Sequence, residues 1–379
     1  MGGGGARVWA MGQQAKPMAV KREQDFTGGV THQISCSFVG STGERALDER
    51  LMELAKSIPG VSDTCLLAEM LTTAVRVSRG AVEEADFKLM NRSLKEMREA
   101  SEVFHPYLNF QKVSVYGSAR TPVDSPEYAA ARDFARKMRD VGFMSITGAG
   151  PGIMAAANEG AGRDDSFGLD ITLPFEASAN DFIKDDPKLI EFSYFFTRKL
   201  SFVKESSAAA AFAGGVGTMD EVFEALTLMQ TGKTTVYPIV LVDAPGKGYW
   251  KAWEKFVREQ LFEQGWISDY DFNLFMVTDD VNVAVKEITD FYRVFHSYRY
   301  CGDKLVMRLK SELSDEALEV LNSEFSGIYS SGSAWKSAAL EEEGNEPDLM
   351  NLPRIVFRHR KGSFGLLRKF IDKVNELGS

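Results

Sequence analysis

The chain has 379 residues, of which 44% are hydrophobic and 26% are charged, and its formal net charge is −10. This length predicts one large domain with appendages or two domains, and the composition is typical of a soluble globular protein. The negative charge, without a lysine and arginine block, argues against nucleic-acid binding, and no apolar run is long enough to cross a membrane.

The potential metal ligands are scattered along the chain. Cys36, Cys65 and Cys301 match no ligand spacing and predict a reducing compartment, which we take to be the cytoplasm. The four histidines form no recognisable pair either. The sequence therefore predicts neither a metal site nor an organic cofactor.

Residues 1–44 are predicted to be a disordered tail. Gly2 to Gly5 have no side chains to bury, and the polar stretch from Met11 to Glu23 has no clear period. Few acids precede Glu44, which leaves an organelle-targeting segment conceivable. The stretch lacks the serine-rich, arginine-rich amphipathic pattern of such segments, so simple disorder is favoured.

Residues 45–110 are predicted to form a helical layer over the main domain. Apolar residues recur at spacings of three and four in 47–58 and 66–77, and a more charged stretch, 87–104, shows Leu94, Met97 and Val103. Binding of a partner protein is one explanation of these stripes. Packing within the chain is the commoner one.

Residues 111–298 alternate between strands and helices and predict a Rossmann-like, doubly wound α/β domain. The apolar runs lie between helices, which indicates a parallel sheet buried on both faces. Such a sheet binds ligands at the carboxyl ends of its strands. The predicted strands are 113–116, 143–146, 167–173, 208–213, 237–242 and 274–277, and the predicted helices are 127–141, 153–160, 195–205, 250–264 and 281–295.

The clearest local signal is the stretch 208–224. Ala208 to Phe212 reads as a buried strand, a turn of small residues follows, and a helix is expected from Met219. The free N–H groups and dipole of a helix N-terminus attract a phosphate, and Asp220 and Glu221 are expected in the first turn. Equally, the glycines could only make a tight connection and the acids only favour the helix terminus.

Three glycine-containing turns follow predicted strands and are expected to converge on one crevice. A dinucleotide fingerprint is incomplete, because Ile153 and Met154 follow Gly150 where a third glycine is needed. A lysine P-loop is absent, since Thr218 and Met219 follow Gly217. Neither NAD chemistry nor NTP hydrolysis is therefore a first choice. The turn residues singled out as ligand-binding are Gly117, Ser118, Gly148, Gly150, Gly214, Gly215, Gly217 and Thr218.

Residues 299–379 predict a small α+β appendage. Strands are expected at 305–309 and 355–357, and helices at 314–325, with a serine cap, and at 365–377. The acidic stretch 330–351 between them is expected to be a mobile loop. A local basic group could bind an anionic regulator, although a solvated strand face is the commoner explanation; it comprises Arg354, Arg358, Arg360 and Lys361.

Arg198-Lys199, followed by GGVGTMDE at 214–221, resembles the paired RK and PGGxGTxxE motifs of the LONELY GUY (LOG) family. These proteins are cytokinin riboside 5'-monophosphate phosphoribohydrolases, long labelled lysine decarboxylases. The TGAGPGIMAAAN turn and the ITLPFE segment are also similar, so the resemblance covers about 112–295. Ala213 replaces the motif's proline and Ala149 a usual glycine; both are small, so the loop conformations should survive. The longer ends suggest the larger bacterial type.

The resemblance implies hydrolysis of the N-glycosidic bond of AMP or an N6-substituted AMP. Glu221 would stabilise the oxocarbenium-like sugar and orient water, and Arg198 would be the second catalytic residue. Lys199, Glu176 and Thr227 would bind substrate. Without the paired motifs, Arg198 and Lys199 would read as a solvated helix face and Glu176 as an exposed loop acid.

The resemblance also implies a homodimer or higher homo-oligomer with the crevice near the subunit interface. The helix after the phosphate turn agrees, because it is apolar over much of its circumference. Alternatively, the N-terminal helices cover the apolar surface of this helix that the sheet does not bury. A non-catalytic nucleotide or molybdenum-cofactor carrier stays open as a second function. A pyridoxal-phosphate decarboxylase is a distant third, since no lysine has a recognisable anchoring context.

Overall fold

A computed structural model describes residues 41–172, 179–344 and 346–378. Its centre is a seven-stranded sheet in the order β4-β3-β2-β1-β5-β6-β7, in which all neighbours are parallel. The strands are β1 Lys112–Tyr116, β2 Met144–Thr147, β3 Ser166–Ile171, β4 Leu189–Phe192, β5 Ala208–Phe212, β6 Ile239–Val242 and β7 Met276–Thr278. This arrangement confirms the predicted α/β, Rossmann-like fold.

Helices connect these strands and flank the sheet. In the central domain α4 packs between α5 and α9, whereas α3 and α6 contact β4. The helices are α1 Arg45–Ser57, α2 Thr64–Arg79, α3 Glu84–Phe104, α4 Pro126–Asp140, α5 Ile153–Ala161, α6 Phe195–Glu205, α7 Val216–Gln230, α8 Tyr249–Phe256, α9 Val281–Phe291, α10 Asp315–Glu324 and α11 Phe364–Leu377.

The edge strand β4 was not predicted. It has four residues, and Glu191 is exposed in its middle between the buried Ile190 and Phe192. An edge strand that is half solvated lacks the continuous apolar run of the central strands. The parallel sheet therefore has seven strands, one more than the six predicted.

Three predicted boundaries in the second half of the domain are wrong. The helix expected over 250–264 consists of α8 and a π-helical segment, Val257–Phe262. The last strand starts at Met276, because a 3₁₀ segment occupies Asp269–Leu274. The helix expected to reach 295 ends at Phe291, since the strand β8 begins at Phe295. The boundary set at 298 lies within this strand.

The C-terminal part forms a four-stranded antiparallel sheet in the order β10-β11-β9-β8. Its strands are β8 Phe295–Cys301, β9 Lys304–Leu309, β10 Tyr329–Ser337 and β11 Arg354–His359. The Ser314 hydroxyl accepts from the Ala317 N–H at 3.0 Å, which confirms the serine cap of α10. The smaller α+β unit is thus present as predicted.

The prediction of a mobile acidic loop at 330–351 is wrong. Much of this stretch is β10, and the turn after it, Glu341–Glu343, buries one carboxylate. Glu343 lies 2.7 Å from the Arg308 guanidinium and 3.2 Å from that of Arg354. Arg354 therefore belongs to a buried ion cluster rather than to a solvated strand face. The arginine partners of Glu343 lie 35 and 11 residues away in the sequence. The local composition around Glu343 does not show these contacts and therefore indicated a loop.

The N-terminal helices contact the domain mainly through α3. Glu96, Ala100 and Phe104 are its buried residues, whereas α1 packs on α2. Cys65, in α2, is disulfide-bonded, which runs against the prediction of reduced cysteines. Within the part of the chain that the structure describes, no helix is both long and apolar enough to cross a bilayer.

Replacing Glu343 with alanine should destabilise the fold by about 3–5 kcal/mol, because the buried Arg354 loses its carboxylate partner and the buried Arg308 keeps only that of Glu346. Burial alone would raise the pKa of Glu343, but the Leu340 N–H and the two arginines outweigh it and lower the pKa. The stabilisation is therefore present above the ordinary carboxyl pKa and is lost as the pH falls. Denaturant unfolding of Glu343→Ala measures it. The exposed neighbour, in Glu341→Ala, should change stability by less than about 0.5 kcal/mol. Equal effects would contradict the burial argument.

Candidate functional site

The turns after β1, β2 and β5 are joined at the carboxyl edge of the sheet. The Ser118 N–H donates to the Ala213 carbonyl at 3.1 Å, which links the first turn to the third. The Ile153 N–H donates to the Ser118 carbonyl at 3.0 Å, which links the first turn to the start of α5. The glycine-containing turns therefore lie around one place.

Close packing explains several of the turn glycines. A Cβ on Gly117 would lie 2.6 Å from Ile153, and one on Gly214 would lie 2.1 Å from the Thr218 Oγ1 atom. A Cβ on Gly148 would lie 2.3 Å from an Arg198 guanidinium nitrogen. At Gly117 and Gly214 the atoms met lie close to a neighbour's backbone, so the fold itself requires glycine there, whereas a side chain at Gly148 would have to move the end of the Arg198 side chain.

The second turn keeps a left-handed residue at Ala149, with φ +62°. This conformation costs a non-glycine residue roughly 1–2 kcal/mol. Its N–H donates to the Thr147 hydroxyl at 3.0 Å, and the Asn180 amide Nδ2 donates to its carbonyl at 2.9 Å and to that of Gly150 at 3.0 Å. These contacts hold the loop in a glycine-like conformation although alanine occupies the position.

Helix α7 begins earlier than predicted, at Val216 rather than Met219, with Gly215 as its N-cap. The Met219 N–H bonds the Gly215 carbonyl at 3.2 Å, so Val216 and Gly217 already have helical geometry. Asp220 and Glu221 consequently lie in the second turn, not the first. The N–H groups of the first turn have no acceptor within the helix, and glycine at the N-cap has no side chain to cap them.

Gly215 and Gly217 differ from the packed glycines. A Cβ at either position would meet no atom of the described chain within 4 Å, and neither residue has a positive φ. The fold therefore does not require glycine at these two positions. Their backbone is open to a ligand that approaches the first turn of α7 closely.

Glu221 is the most strongly perturbed carboxyl of this region. Burial raises its pKa to about 7, against the opposing effect of Lys199 and Arg198. The neighbouring carboxylates Asp220 and Glu224 add to the rise. A carboxyl that titrates near neutral pH in a crevice is suited to proton transfer or to charge stabilisation.

Arg198, on α6, reaches back to the ends of two strands. Its Nε donates to the Leu169 carbonyl at 2.7 Å and its Nη2 to the Gly148 carbonyl at 3.3 Å. The guanidinium carbon lies 5.5 Å from the centre of the Phe202 ring. These contacts hold the positive charge beside the second turn.

Lys199 joins α6 to α7. Its Nζ lies 2.6 Å from the Asp220 carboxylate and 3.0 Å from that of Glu224, and its side chain is 13% exposed. Burial would lower the pKa of Lys199, but the two carboxylates outweigh it and raise the pKa. Lys199 thus aligns the helix that carries Glu221.

A buried carboxylate outside the predicted site supports α6. Glu96, on α3, accepts from the Ser193 N–H at 2.8 Å and from the Thr197 hydroxyl at 2.6 Å, at the N-terminus of α6. Burial would raise the pKa of Glu96, but these hydrogen bonds and the one from Arg92 lower it. No sequence pattern pointed to this contact, because about a hundred residues separate its ends.

The remaining predicted residues are placed differently. Glu176 lies outside the described residues. Thr227 is exposed and on another face of α7 from Glu221, because six residues make about one and two-thirds turns.

The Tyr249 hydroxyl, which sequence reasoning missed, donates to the Gly214 carbonyl at 2.6 Å and holds the third turn. In the described ranges no group of three or more histidine, cysteine, aspartate or glutamate side chains could hold a metal ion.

Residues 154–288 match the model of a family described as "Possible lysine decarboxylase". The match includes Arg198 and Glu221. It supports the family resemblance drawn from the motifs, because this is the label long given to LOG proteins. A search of the curated proteins finds no match to the chain.

Solved structures with a similar fold include two that concern the molybdenum cofactor. The molybdenum cofactor binding protein from Rippkaea orientalis is 18% identical, with a TM-score of 0.35, over 48% of this chain and 96% of that one. The molybdenum cofactor carrier protein from Chlamydomonas reinhardtii is 21% identical, with a TM-score of 0.34, over 48% and 96%. DNA processing protein A from Helicobacter pylori is 14% identical, with a TM-score of 0.30, over 46% and 79%. Similarity at this level says nothing about function.

Glu221→Gln should stabilise the free protein at pH 8 by about 1–3 kcal/mol, since each pKa unit corresponds to about 1.4 kcal/mol. The folded chain holds the Glu221 proton up to about pH 7, whereas the ordinary pKa is 4.5. The wild type therefore loses stability as the pH rises between these values, and glutamine does not. Thermal unfolding at pH 5 and pH 8 tests this, with the exposed Glu263→Gln as control. If the stability of Glu221→Gln at pH 8 equals that of the wild type, ionisation of Glu221 does not destabilise the folded protein.

Proposed function

We propose that this protein hydrolyses the N-glycosidic bond of a purine nucleoside 5'-monophosphate, either AMP or an N6-substituted, cytokinin-type AMP. The products are the free base and ribose 5-phosphate. The observation that carries the proposal is the open first turn of α7, with Gly215 and Gly217, one turn before a glutamate whose pKa is about 7. The paired RK and GGxGT motifs support it.

The first turn of α7 suits the phosphate. Three N–H groups and the positive end of the helix dipole attract an anion, and the two open glycines let it approach the backbone. Further along the helix, Glu221 follows with the carboxyl groups of Asp220 and Glu224 beside it. A nucleotide bound with its phosphate at the first turn would place its sugar toward this carboxylate end.

The carboxylate suits the sugar. When the bond between C1' and the base nitrogen breaks, positive charge develops on the ribose ring, and ionised Glu221 stabilises it. The water oxygen forms the new bond to C1', and the water's proton ends on the departing base. Only the ionised form of Glu221 can stabilise the cation or accept this proton in transit. Arg198 offsets the negative charge that the phosphate and carboxylates bring together.

A non-catalytic nucleotide or molybdenum-cofactor carrier is the second candidate. The same helix terminus would hold the phosphate of a carried molecule, and two of the proteins with a similar fold are a molybdenum cofactor binding protein and a molybdenum cofactor carrier protein. A carrier, however, has no use for a buried carboxyl that titrates near neutral pH beside a fixed arginine. That feature favours the enzyme.

Purified protein should release base and ribose 5-phosphate from AMP or an N6-substituted AMP, and much more slowly from adenosine, as measured by chromatography. EDTA should leave the rate unchanged. Equal turnover of adenosine and AMP would contradict a phosphate site at the first turn of α7.

Glu221→Gln should bind AMP normally but lose about 100-fold or more in kcat, which is typical of removing one preorganised charged group. Glu263→Gln is the matched control. A normal kcat in Glu221→Gln would favour the carrier.

Gly217→Ala should separate folding from binding. Its Cβ meets no described atom within 4 Å, so the variant should be as stable as the wild type or more stable by up to about 1 kcal/mol. The methyl group should nevertheless weaken AMP binding by roughly 10-fold to 100-fold, because it displaces a phosphate oxygen from a charge-assisted hydrogen bond. Calorimetric titration measures the affinity, with Gly327→Ala as control. Unchanged affinity for AMP would contradict a phosphate at this turn.

A further inference from the structure

Helix α3 carries an apolar stripe that the rest of the described chain leaves exposed. The α3 seam, as we define it, consists of Phe87, Met90, Leu94 and Met97, which are 45%, 46%, 54% and 42% exposed. Their spacing of three, four and three residues is that of the a and d positions of a heptad. Contiguous large apolar side chains on a surface mark a site of interaction.

The seam lies beside the face through which α3 contacts its own domain. Glu96, Ala100 and Phe104 occupy that inner face, and Glu96 is fixed by its bonds to Ser193 and Thr197. Rotation of α3 to bury the seam would break these contacts. The pair α1 and α2 does not cover the seam, and it leaves apolar residues of its own exposed, among them Leu54 and Met70.

Helix α7, the interface predicted from the sequence, offers less free apolar surface. Val222 and Met229 are buried, and the Phe223 ring lies 5.5 Å from that of Trp253. The segment Asp269–Leu274 and α11 also pack on α7, so these elements, rather than the N-terminal helices of the alternative explanation, cover part of its apolar surface.

We propose that the α3 seam docks against the α3 seam of a second copy of this chain, with the two helices antiparallel. The seam is symmetric about Arg92. A two-fold axis there places Phe87 opposite Met97 of the second copy, and Met90 opposite its Leu94. A two-fold interface must be self-complementary, and the α3 seam meets this requirement because each of its residues faces another seam residue of the second copy.

Charge favours the antiparallel arrangement. In an antiparallel helix pair the residues that follow the d positions face one another, which places Glu84 opposite Arg98 of the second copy, twice across the axis. Both side chains are exposed on the free helix. A parallel pair would place Asp86 beside Asn91 and Ser93 beside Arg98, with no contact between opposite charges.

Cross-linking of the full chain tests the geometry. In the antiparallel register Asn91 lies opposite Asn91 of the second copy, so Asn91→Cys should give a covalent dimer with a short bis-maleimide. Lys95→Cys is the matched control, exposed on the same helix but turned away from the seam. The wild type under the same conditions accounts for the native cysteines. Equal cross-linking at 91 and 95 would overturn the proposal.

Light scattering at about 10 micromolar tests the association itself. The wild type should have at least twice the mass of one chain, and Leu94→Glu should halve that mass, whereas the exposed Val283→Glu should not. Circular dichroism verifies that both variants are folded. A monomeric wild type, or a dimer unaffected by Leu94→Glu, overturns the proposal. A monomer that dimerises only after removal of residues 1–40 assigns the seam to that segment and overturns it as well.

Discussion

The candidate site depends on the junction between β5 and α7, where the chain turns through Ala213 and the two glycines Gly214 and Gly215. Gly214 must be glycine because Thr218 lies against it, and the hydroxyl of Tyr249 and the N–H of Ser118 hold the turn from two sides. The helix then starts at once, at Val216. Free N–H groups consequently face outward at a fixed place, and Glu221 follows one turn later on the same rigid element.

The electrostatic balance at Glu221 decides what the site can do. Lys199 and Arg198 both favour its ionised form, but burial and two neighbouring carboxylates prevail and raise its pKa to about 7. Lys199 is largely neutralised by Asp220 and Glu224, and Arg198 is turned toward the carbonyls of Leu169 and Gly148. The carboxyl is therefore poised between its two states. A cationic sugar would favour the ionised one, which is how binding and catalysis are coupled in the proposed reaction.

Local pattern predicted most of the sheet and the positions of the three turns, because buried parallel strands are short apolar runs and turns need small residues. It did not predict β4, whose exposed Glu191 interrupts the run, or the helical conformation of Val216 and Gly217. The contacts of Glu96 with Thr197 and of Glu343 with Arg308 and Arg354 also escaped it. These pairs are made by tertiary packing between distant residues, and nothing in their local sequence distinguishes a buried carboxylate from an exposed one.

The most direct test of the nucleotide site is a crystal structure of Glu221→Gln with AMP. We expect a phosphate oxygen within about 3 Å of the N–H groups of Val216 to Thr218, and the ribose C1' beside the side chain of residue 221. A phosphate bound elsewhere, or a ribose on the far side of Arg198 from residue 221, would contradict it.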